Sequence, residues 1–208
     1  MKPAPLFPAF LKISGRPCLV VGAGAIGEEK IQGLLLAGAS VHVVSPQATA
    51  QVQGWNREGK LRWDQRAFRP ADLSEVFLVV AATSSPELHK KIYAEARRRN
   101  VLCNAVDDPE HCDFYYGSVV RRGALQIAIS SAGQSPSLSQ RLRKELERQF
   151  GPEYEHWLAE LGETRERLFS RNIEPKRRKE LLHRLASELS LEEFRRRQKR
   201  RPPTPRPK

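Results

Sequence analysis

The chain has 208 residues, of which 39% are hydrophobic, and it carries a formal net charge of +12. This length predicts one packed domain of about 100–150 residues with an appendage. The three cysteines are an odd number without the paired spacing of zinc sites, which argues against a disulfide framework and against a metal centre. No apolar run is long enough to span a bilayer and no signal-peptide pattern opens the sequence, so we expect a cytoplasmic protein without a membrane partner.

The first half of the chain alternates predicted strands and helices. Strands are predicted at 9–13, 18–22, 41–45, 61–65, 76–83 and 101–106, and helices at 25–37 and 86–99. The run VFLVVAAT at 76–83 is apolar almost throughout, which is typical of a strand buried on both faces. Strands that alternate with helices imply right-handed crossovers and a parallel sheet, so the predicted fold class is α/β.

The pattern changes in the second half. The segments FYYGSVV (114–120) and LQIAIS (125–130) flank RRGA, which predicts a β-hairpin. From Leu138 to about Arg201 the sequence is helical, with a break at Gly151 and Pro152. The stretch 195–208 contains many cations and prolines and no acid, which predicts a frayed helix end and a disordered tail.

The stretch CLVVGAGAIGEEK, residues 18–30, leads from a predicted strand through alternating glycines into a predicted helix. Gly22, Gly24 and Gly27 match G-x-G-x-x-G, whose glycines turn the chain, admit a pyrophosphate and let the helix pack on the strand. Free N–H groups at the start of the helix would face the phosphates. A turn of small residues that holds no ligand is the alternative. The position between strand and helix favours a Rossmann-like dinucleotide site.

The predicted strand at 41–45, which follows the helix after the glycine motif, ends in VVSPQ (43–47). In dinucleotide-binding proteins an acid that binds the ribose usually stands at the end of this strand. Ser45 or Gln47 can still bond a ribose hydroxyl, so this position does not strongly favour NAD over NADP. No arginine stands immediately beside it to receive a 2′-phosphate, and we therefore predict NAD. Thr83, at the end of the strand at 76–83, is a further predicted cofactor contact.

The segment NAVDDPEHCDF (104–114) follows the last predicted parallel strand. Because ligands of open parallel sheets bind beyond the carboxyl ends of the strands, Asp107 and Asp108 stand where a substrate could meet the cofactor. A carboxylate there could accept a proton. From spacing alone, an ordinary Asp-Asp-Pro turn is favoured over this role.

The histidines carry no clear metal pattern. His111 and Cys112 are adjacent residues, which rarely face one ion, and no matching pair follows, so a structural role is favoured. His42 lies in a predicted strand and is expected to pack or lie at an edge. His89 lies in a polar predicted helix and is expected to be exposed.

The segment AISSAGQSPSLSQRLRKELE (128–147) places a hydroxyl-rich loop before a basic amphipathic helix. Together with LFPAFLKISGRPCLVVGAG and CNAVDDP, it resembles the dehydrogenase module of siroheme synthase. That family is the precorrin-2 dehydrogenases, some of which are also sirohydrochlorin ferrochelatases. The resemblance covers residues 5 to about 150. The sequence has GAGAIG where the family often has three successive glycines and a later alanine.

The resemblance implies NAD-dependent oxidation of precorrin-2 to sirohydrochlorin by a homodimer, and it does not separate an enzyme that also inserts iron from one that does not. It assigns catalysis to Asp107 and places Ser130 and Ser131 in a loop near the tetrapyrrole. The cofactor contacts that it implies are Ala25, Ile26, Pro46 and Gln47. The resemblance implies a Rossmann domain at 1–113, a dimerisation region at 114–150 and a helical domain at 151–194, and the composition predicts a basic disordered tail at 195–208.

A tetrapyrrole with many carboxylates suits a chain of high positive charge, which would steer it electrostatically. The candidate carboxylate partners are Arg121, Arg122, Arg141, Arg143 and Lys144, although each alone is more simply read as a solvated surface charge. The alternative is a non-enzymatic dinucleotide-sensing Rossmann module whose basic tail binds nucleic acid. Apart from Phe194, that tail lacks interleaved aromatic residues and matches no nucleic-acid fold, so a nucleic-acid partner is not expected.

Overall fold

The computed structural model describes residues 5–200 and divides the chain into two units, with the boundary between Tyr115 and Tyr116. The first unit contains a parallel sheet with helices, and the second contains a hairpin followed by helices, which confirms the predicted fold class. The predicted segment boundaries at 113, 150 and 194 remain predictions. No helix among the described residues is both long enough and apolar enough to cross a membrane.

The first unit is built from five strands and three helices. The strands are β1 Pro17–Ala23, β2 Ser40–Ala48, β3 Arg62–Asp64, β4 Leu78–Ala81 and β5 Leu102–Ala105. The helices are α1 Ala25–Leu36, α2 Ala50–Arg57 and α3 Pro86–Arg99, with 3₁₀ turns at Pro70–Leu73 and Pro109–His111. All strand pairs are parallel, in the order β3-β2-β1-β4-β5.

The predicted strand at 9–13 is wrong. These residues form no regular structure, and Phe10 and Leu11 are exposed while Ile13 is buried. An apolar run becomes a strand only when a neighbouring strand satisfies its N–H and C=O groups. The described sheet ends at β3 on one side and β5 on the other, and neither of them pairs with this segment.

Helices cover both faces of the sheet, which explains why its central strands are apolar throughout. Val20 of β1 belongs to a core with Ile31 of α1 and Val52 of α2. The next residue back, Leu19, belongs to a second core with Ile92 of α3. All five side chains are fully buried. Successive residues of β1 therefore serve opposite faces, as the alternation of a strand requires.

Side-chain caps determine where two of these helices begin. The Thr49 hydroxyl accepts a hydrogen bond from the Val52 N–H at 3.3 Å, and the Ser85 hydroxyl accepts one from the Leu88 N–H at 3.3 Å. Each cap satisfies an N–H that the helix itself leaves unpaired. Helix α3 ends at Asn100, which adopts a left-handed conformation with φ 56°.

The second unit begins with the predicted hairpin. Strands β6 Ser118–Arg122 and β7 Leu125–Ile129 pair antiparallel, and Gly123 turns the chain with φ +56°. Four helices follow, α4 Pro136–Gln149, α5 Glu153–Phe169, α6 Pro175–Leu185 and α7 Glu188–Lys199. Among its described residues, the hydrophobic side chains that are buried are Val120, Leu191 and Phe194.

Residues 195–199 continue α7, which agrees with a helix end in this stretch, whereas the prediction that the disordered tail begins at residue 195 is wrong. Arg195 Nε donates to Glu153 Oε1 at 3.0 Å, and Arg197 Nη2 donates to Glu160 Oε1 at 2.7 Å. Both acids lie on α5, so the local composition around residue 195 could not indicate this pairing. Residues 201–208 of the predicted tail lie outside the described residues.

Candidate dinucleotide and catalytic site

The strand order places a crevice at the carboxyl end of β1. From β1 the chain moves outward through β2 to β3, and then returns to the other side of β1 for β4 and β5. Ligands of open α/β sheets bind where the order reverses in this way. A cavity of about 610 Å³ opens there, and the ends of β1, β2 and β4 contribute to its wall. No charged side chain of the described residues lines it.

The predicted cofactor residues divide into two groups. Those that line the cavity are Gly22, Gly24, Ser45, Pro46, Gln47 and Thr83. Ala25, Ile26 and Gly27 instead form the first turn of α1, whose N–H groups have no partner within the helix. Phe68 and Leu88 also line the cavity. Sequence reasoning missed both, because Phe68 lies in an irregular segment without a motif and Leu88 resembles any apolar helix residue.

The three glycines of the motif have different physical roles. Gly22 has φ +100°, and a Cβ there would lie 2.2 Å from the Ala82 carbonyl oxygen. A Cβ on Gly27 would lie 2.3 Å from the Gly22 oxygen. A Cβ on Gly24 would meet no atom within 4 Å. Gly22 and Gly27 are therefore required for packing, whereas Gly24 leaves open space beside the cavity.

This open space fits a dinucleotide. Gly24 is the N-cap of α1 and has no side chain to accept hydrogen bonds from the first turn. The positive end of the helix and its unpaired N–H groups are then available to a pyrophosphate. The neutral wall of the cavity suits the ribose and base of the same ligand, so the residues present fit the dinucleotide that the motif predicts.

Residues 45–47 line the part of the cavity where the sequence predicts the ribose. Ser45 is buried, and its hydroxyl donates to the Gln47 carbonyl oxygen at 2.6 Å. Trp63 Nε1 donates to the Ser45 carbonyl oxygen at 3.0 Å and holds this strand end in place. The Gln47 side chain is exposed, which leaves its amide the more available group for a ribose hydroxyl.

A cation next to this region is already engaged. Arg66 Nη2 donates to Asp72 Oδ1 at 2.7 Å and to Asp64 Oδ2 at 2.9 Å. Burial alone would raise the pKa of Asp72, but the hydrogen bonds from Arg66 and from the Arg69 N–H, together with the nearby positive charge, hold that pKa below its ordinary value. The network fixes the start of the segment that carries Phe68, and it occupies the Arg66 guanidinium.

The turn after β5 separates its two aspartates. The Val106 N–H donates to the Ala81 carbonyl oxygen at 2.9 Å and ties the end of β5 to β4. Asp107 follows with φ 60° and an exposed side chain. Asp108 Oδ2 lies 2.8 Å from His111 Nδ1 and 3.4 Å from His89 Nδ1. Asp107 is thus the acid presented to solvent at the carboxyl edge of the sheet.

The prediction that His89 is exposed is wrong, since its residue exposure is 5%. His89 shares a face of α3 with Ile92 and Ala96, which are buried, and the polar composition of the helix concealed this spacing. Its contact with Asp108 involves residues nineteen positions apart, which no local pattern indicates. His42 is partly buried, and its Nε2 lies 3.2 Å from Asp64 Oδ2.

His111 and Cys112 have protein partners. The Cys112 thiol donates to the Ala105 carbonyl oxygen at 3.1 Å and to the Asp108 carbonyl oxygen at 3.3 Å. Burial raises the pKa of Cys112, which keeps it a neutral donor at physiological pH. Within residues 5–200, no group of three or more His, Cys, Asp or Glu side chains has an arrangement that could hold a metal ion.

Ser130 and Ser131 lie in the second unit, in the loop before α4. The Ser130 hydroxyl accepts from the Ala132 N–H at 3.1 Å, and the Ser131 hydroxyl accepts from the Ser135 N–H at 3.2 Å. Ala132 between them and α4 has φ 50°. The serines therefore shape a tight loop, and each hydroxyl keeps its own proton available to a ligand.

Three of the five candidate substrate cations have partners within the second unit. Arg122 donates to the Phe150 and Glu147 carbonyl oxygens at 2.8 and 2.9 Å, and it thereby satisfies backbone acceptors that the C-terminus of α4 leaves unpaired. Arg141 and Arg143 form ion pairs with the acids four residues further along the same helix. Arg121 and Lys144 are exposed, and among the described residues neither has a side-chain hydrogen bond or ion pair.

A doubly flanked parallel sheet with a glycine turn and a neutral cavity at its switch point defines a dinucleotide-binding Rossmann protein. Residues 9–118 match the NAD(P)-binding family model, and residues 122–149 match the model for the central region of sirohaem biosynthesis proteins. Because the first match covers more than half of the chain, the chain belongs to this NAD(P)-binding family. The second match directly follows the first along the chain. The family resemblance read from the sequence is confirmed.

Curated relatives are siroheme synthases. That of Photorhabdus laumondii is 40% identical over 140 residues, which are 67% of this chain and 30% of the relative. Siroheme synthase 1 of Cronobacter sakazakii is 43% identical over 140 residues, again 67% of this chain and 30% of the relative. The chain therefore spans less than a third of the length of these relatives.

A solved structure matches nearly the whole chain. The precorrin-2 dehydrogenase SirC has a TM-score of 0.76 and 28% identity, and the match covers 92% of this chain and 98% of that one. The likeness extends through both units, whereas the identity to the siroheme synthases covers about two thirds of the chain. Together with the family match, it supports NAD as the cofactor.

Proposed function

We propose that this protein oxidises precorrin-2 to sirohydrochlorin, with NAD as the hydride acceptor. The observation that carries the proposal is the position of Asp107. It is the exposed acid on a turn that follows β5, and the end of β5 is hydrogen-bonded to β4, whose neighbouring residues Ala82 and Thr83 line the dinucleotide cavity. The overall likeness to SirC supports the choice of substrate.

In this proposal the first unit binds NAD and supplies the catalytic base, Asp107. The first-turn N–H groups of α1 hold the pyrophosphate, and the Gln47 amide bonds the ribose. Phe68 and Leu88 exclude water from one wall of the cavity. When NAD is bound, it supplies the acceptor for the hydride, which carries two electrons and one proton away from the macrocycle. The Asp107 carboxylate accepts the second proton that the macrocycle loses.

The neutral cavity also supports NAD over NADP. A 2′-phosphate would add negative charge at the ribose end, where no cation lines the wall among the described residues. Arg66, the nearest arginine in sequence to the lining residue Ala67, is held by two carboxylates. A 2′-phosphate would thus lose its hydration without gaining a charged partner in the cavity wall.

We further propose that the second unit attracts the substrate and joins two chains. Residues 116–208 contain 22 Lys and Arg residues and 12 Asp and Glu residues, so this unit supplies most of the positive charge that favours a polycarboxylate. Tyr116, Leu138, Phe169 and Leu189 are exposed in the single chain. Burial of such side chains against a second copy would explain a homodimer.

The free cysteines indicate the cellular compartment in which we expect this reaction. All three cysteines are free, and burial raises the pKa of Cys18 to about 11 and that of Cys103 to about 12. Unpaired thiols of this kind suit a reducing compartment, and we expect the reaction in the cytoplasm.

The decisive experiment mixes purified protein with precorrin-2 and NAD and follows NADH absorbance. Turnover with NAD, and much slower turnover with NADP, is expected. The Gly24→Asp variant provides the matched negative control. Absence of NADH formation by the wild-type protein under anaerobic conditions would contradict the proposed function, and addition of ferrous iron to the product tests for iron insertion in the same cuvette.

A further inference from the structure

We propose that Asp108 is a positioning residue, which His111 and His89 hold so that the turn presents Asp107 to the substrate. The inference rests on the proposed function, because it assigns the catalytic role to Asp107. It concerns three side chains to which neither the glycine motif nor the resemblance assigns a role. Their contacts lie within the first unit.

The turn needs an external constraint. Asp107 is a residue with a Cβ in the left-handed region, at φ 60°. Such a conformation costs free energy, and it persists where the surrounding structure determines it. On the amino-terminal side, the bond from the Val106 N–H to the Ala81 carbonyl oxygen supplies that constraint. On the carboxyl-terminal side, the next residue is Asp108.

Asp108 is fixed by its side chain and by its backbone. Its Oδ2 atom receives the His111 Nδ1–H at 2.8 Å, and the His89 Nδ1 atom lies 3.4 Å from the same oxygen. A carboxylate oxygen can only accept, so the nearer imidazole carries its proton on Nδ1. The Asp108 carbonyl oxygen accepts from the His111 N–H at 3.1 Å and from the Cys112 thiol at 3.3 Å.

The two histidines connect this turn to α3. His89 lies on α3 beside Leu88, which lines the dinucleotide cavity. The His111 ring packs edge-on against Tyr93 of the same helix, with 5.2 Å between ring centroids. Asp108 therefore joins the turn that carries Asp107 to the helix that forms a wall of the cavity.

The buried imidazole of His89 supports a role for its contact with Asp108. Its Nε2 atom is buried and has no hydrogen-bond partner among the described residues. A buried polar atom without a partner is unfavourable, and an apolar side chain at this position would avoid the cost. The polar contact that His89 does make is that of its Nδ1 atom with the Asp108 carboxylate, and this contact explains why a histidine occupies the position.

The experiment compares Asp108→Ala with Asp108→Asn and Glu110→Ala. Glu110 belongs to the same turn but is exposed, and it provides the matched control. Displacement of a catalytic group by about 1 Å can cost roughly 10²-fold in rate, so Asp108→Ala should lower kcat by about 10- to 100-fold. KM for NAD should not change. Asp108→Asn keeps an acceptor oxygen and should recover most of kcat, and Glu110→Ala should match the wild type.

Hydrogen–deuterium exchange of the amides at 105–112 provides a readout that does not depend on turnover. Exchange should be faster in Asp108→Ala and unchanged in Glu110→Ala. His111→Gln, on the surface turn, should also speed exchange and lower kcat, as Asp108→Ala does. It replaces Asp108→Ala in the test if that variant does not fold. Unchanged exchange, or a kcat of Asp108→Asn as low as that of Asp108→Ala, would overturn the inference. A wild-type protein without turnover would contradict the proposed function instead, while the exchange data would still decide whether Asp108 holds the turn.

Discussion

The first unit buries twenty-five hydrophobic side chains among the described residues, whereas the second buries three. Their charges differ as strongly. Residues 1–115 contain 14 Lys and Arg residues and 12 Asp and Glu residues, and residues 116–208 contain 22 and 12. The first unit is thus a nearly neutral, self-sufficient core that suits a cofactor. The second is a basic, sparsely packed unit that leaves apolar side chains such as Leu138 and Leu189 exposed.

Gly24→Asp gives the largest effect, and it tests whether cofactor binding belongs to the first unit alone. The new side chain has open space beside the cavity, so the protein should fold. Its carboxylate would repel the pyrophosphate at the start of α1, and NAD binding should be abolished. Calorimetric titration with NAD measures this. Unchanged affinity in the folded variant would contradict the cofactor site.

Gly22→Ala is the companion to that variant. Its Cβ would overlap the Ala82 carbonyl oxygen, so it should lower the thermal unfolding midpoint, which Gly24→Asp should leave nearly unchanged. Equal unfolding midpoints for the two variants would mean that the glycines do not differ in the way that the packing indicates.

Asp107→Ala should lower kcat by roughly 10²-fold or more, which is the usual scale for removal of a positioned acid–base group. NAD affinity should remain, because the glycine turn and Gln47 lie elsewhere in the first unit. Steady-state kinetics and NAD titration measure the two effects separately. If turnover is retained, the catalytic base is not Asp107, although the fold and cofactor site would stand.

Phe194→Ala tests the small core of the second unit. Phe194 is 1% exposed, and truncation of a buried phenylalanine typically costs about 3–5 kcal/mol. We expect the second unit to unfold at a lower temperature while the first unit still binds NAD. Glu193→Ala on the same helix is the control, because Glu193 is exposed. A parallel loss of NAD binding in Phe194→Ala would show that the two units do not fold independently.

The charge difference predicts a selective effect on the substrate. Arg121→Glu combined with Lys144→Glu should raise KM for precorrin-2 by about 3- to 10-fold and leave KM for NAD unchanged, since electrostatic steering acts on the polycarboxylate. The effect should shrink at high salt. Arg196→Glu combined with Lys199→Glu provides a control of equal charge change on α7. An increase of the same size in that variant would point to net charge alone rather than to these two positions.

Acid stability is the smallest expected effect and concerns the first unit. Arg66 lowers the pKa of Asp72 in the folded protein. A carboxyl group whose folded pKa lies below its unfolded pKa stabilises the protein above the unfolded value, near pH 4, and this contribution is lost as the pH falls through the folded pKa. The thermal unfolding midpoint of the wild type should therefore fall below about pH 4. Asp72→Asn should be less stable at neutral pH and should show a shallower acid slope.

Sequence reasoning succeeded where the information is local. The strands around Val20, Val43 and Val80 are apolar runs, and the glycine spacing is contained within six residues, so their positions could be read directly. It failed where the outcome depends on partners far along the chain. The segment at 9–13 has strand-like composition but no pairing strand, and His89 is buried because α3 packs on the sheet and on the turn at Asp108.

The site shows the same division. Gly24 and Gln47 were predicted from a motif and a strand end, and both line the cavity. Phe68 was not predictable, because the network of Arg66, Asp64 and Asp72 that fixes its segment is formed by the fold. The roles of Asp107 and Ser131 in substrate chemistry remain predictions.

The ion pairs between α7 and α5 have a practical consequence for handling the protein. Proteases that cleave after Lys and Arg bind an extended peptide, and the run RRRQK at 195–199 would be a preferred target in an unstructured chain. Its helical backbone and the bonds from Arg195 to Glu153 and from Arg197 to Glu160 withhold that conformation. Because salt weakens exposed ion pairs, purification at low ionic strength should preserve the intact chain better than purification in concentrated salt.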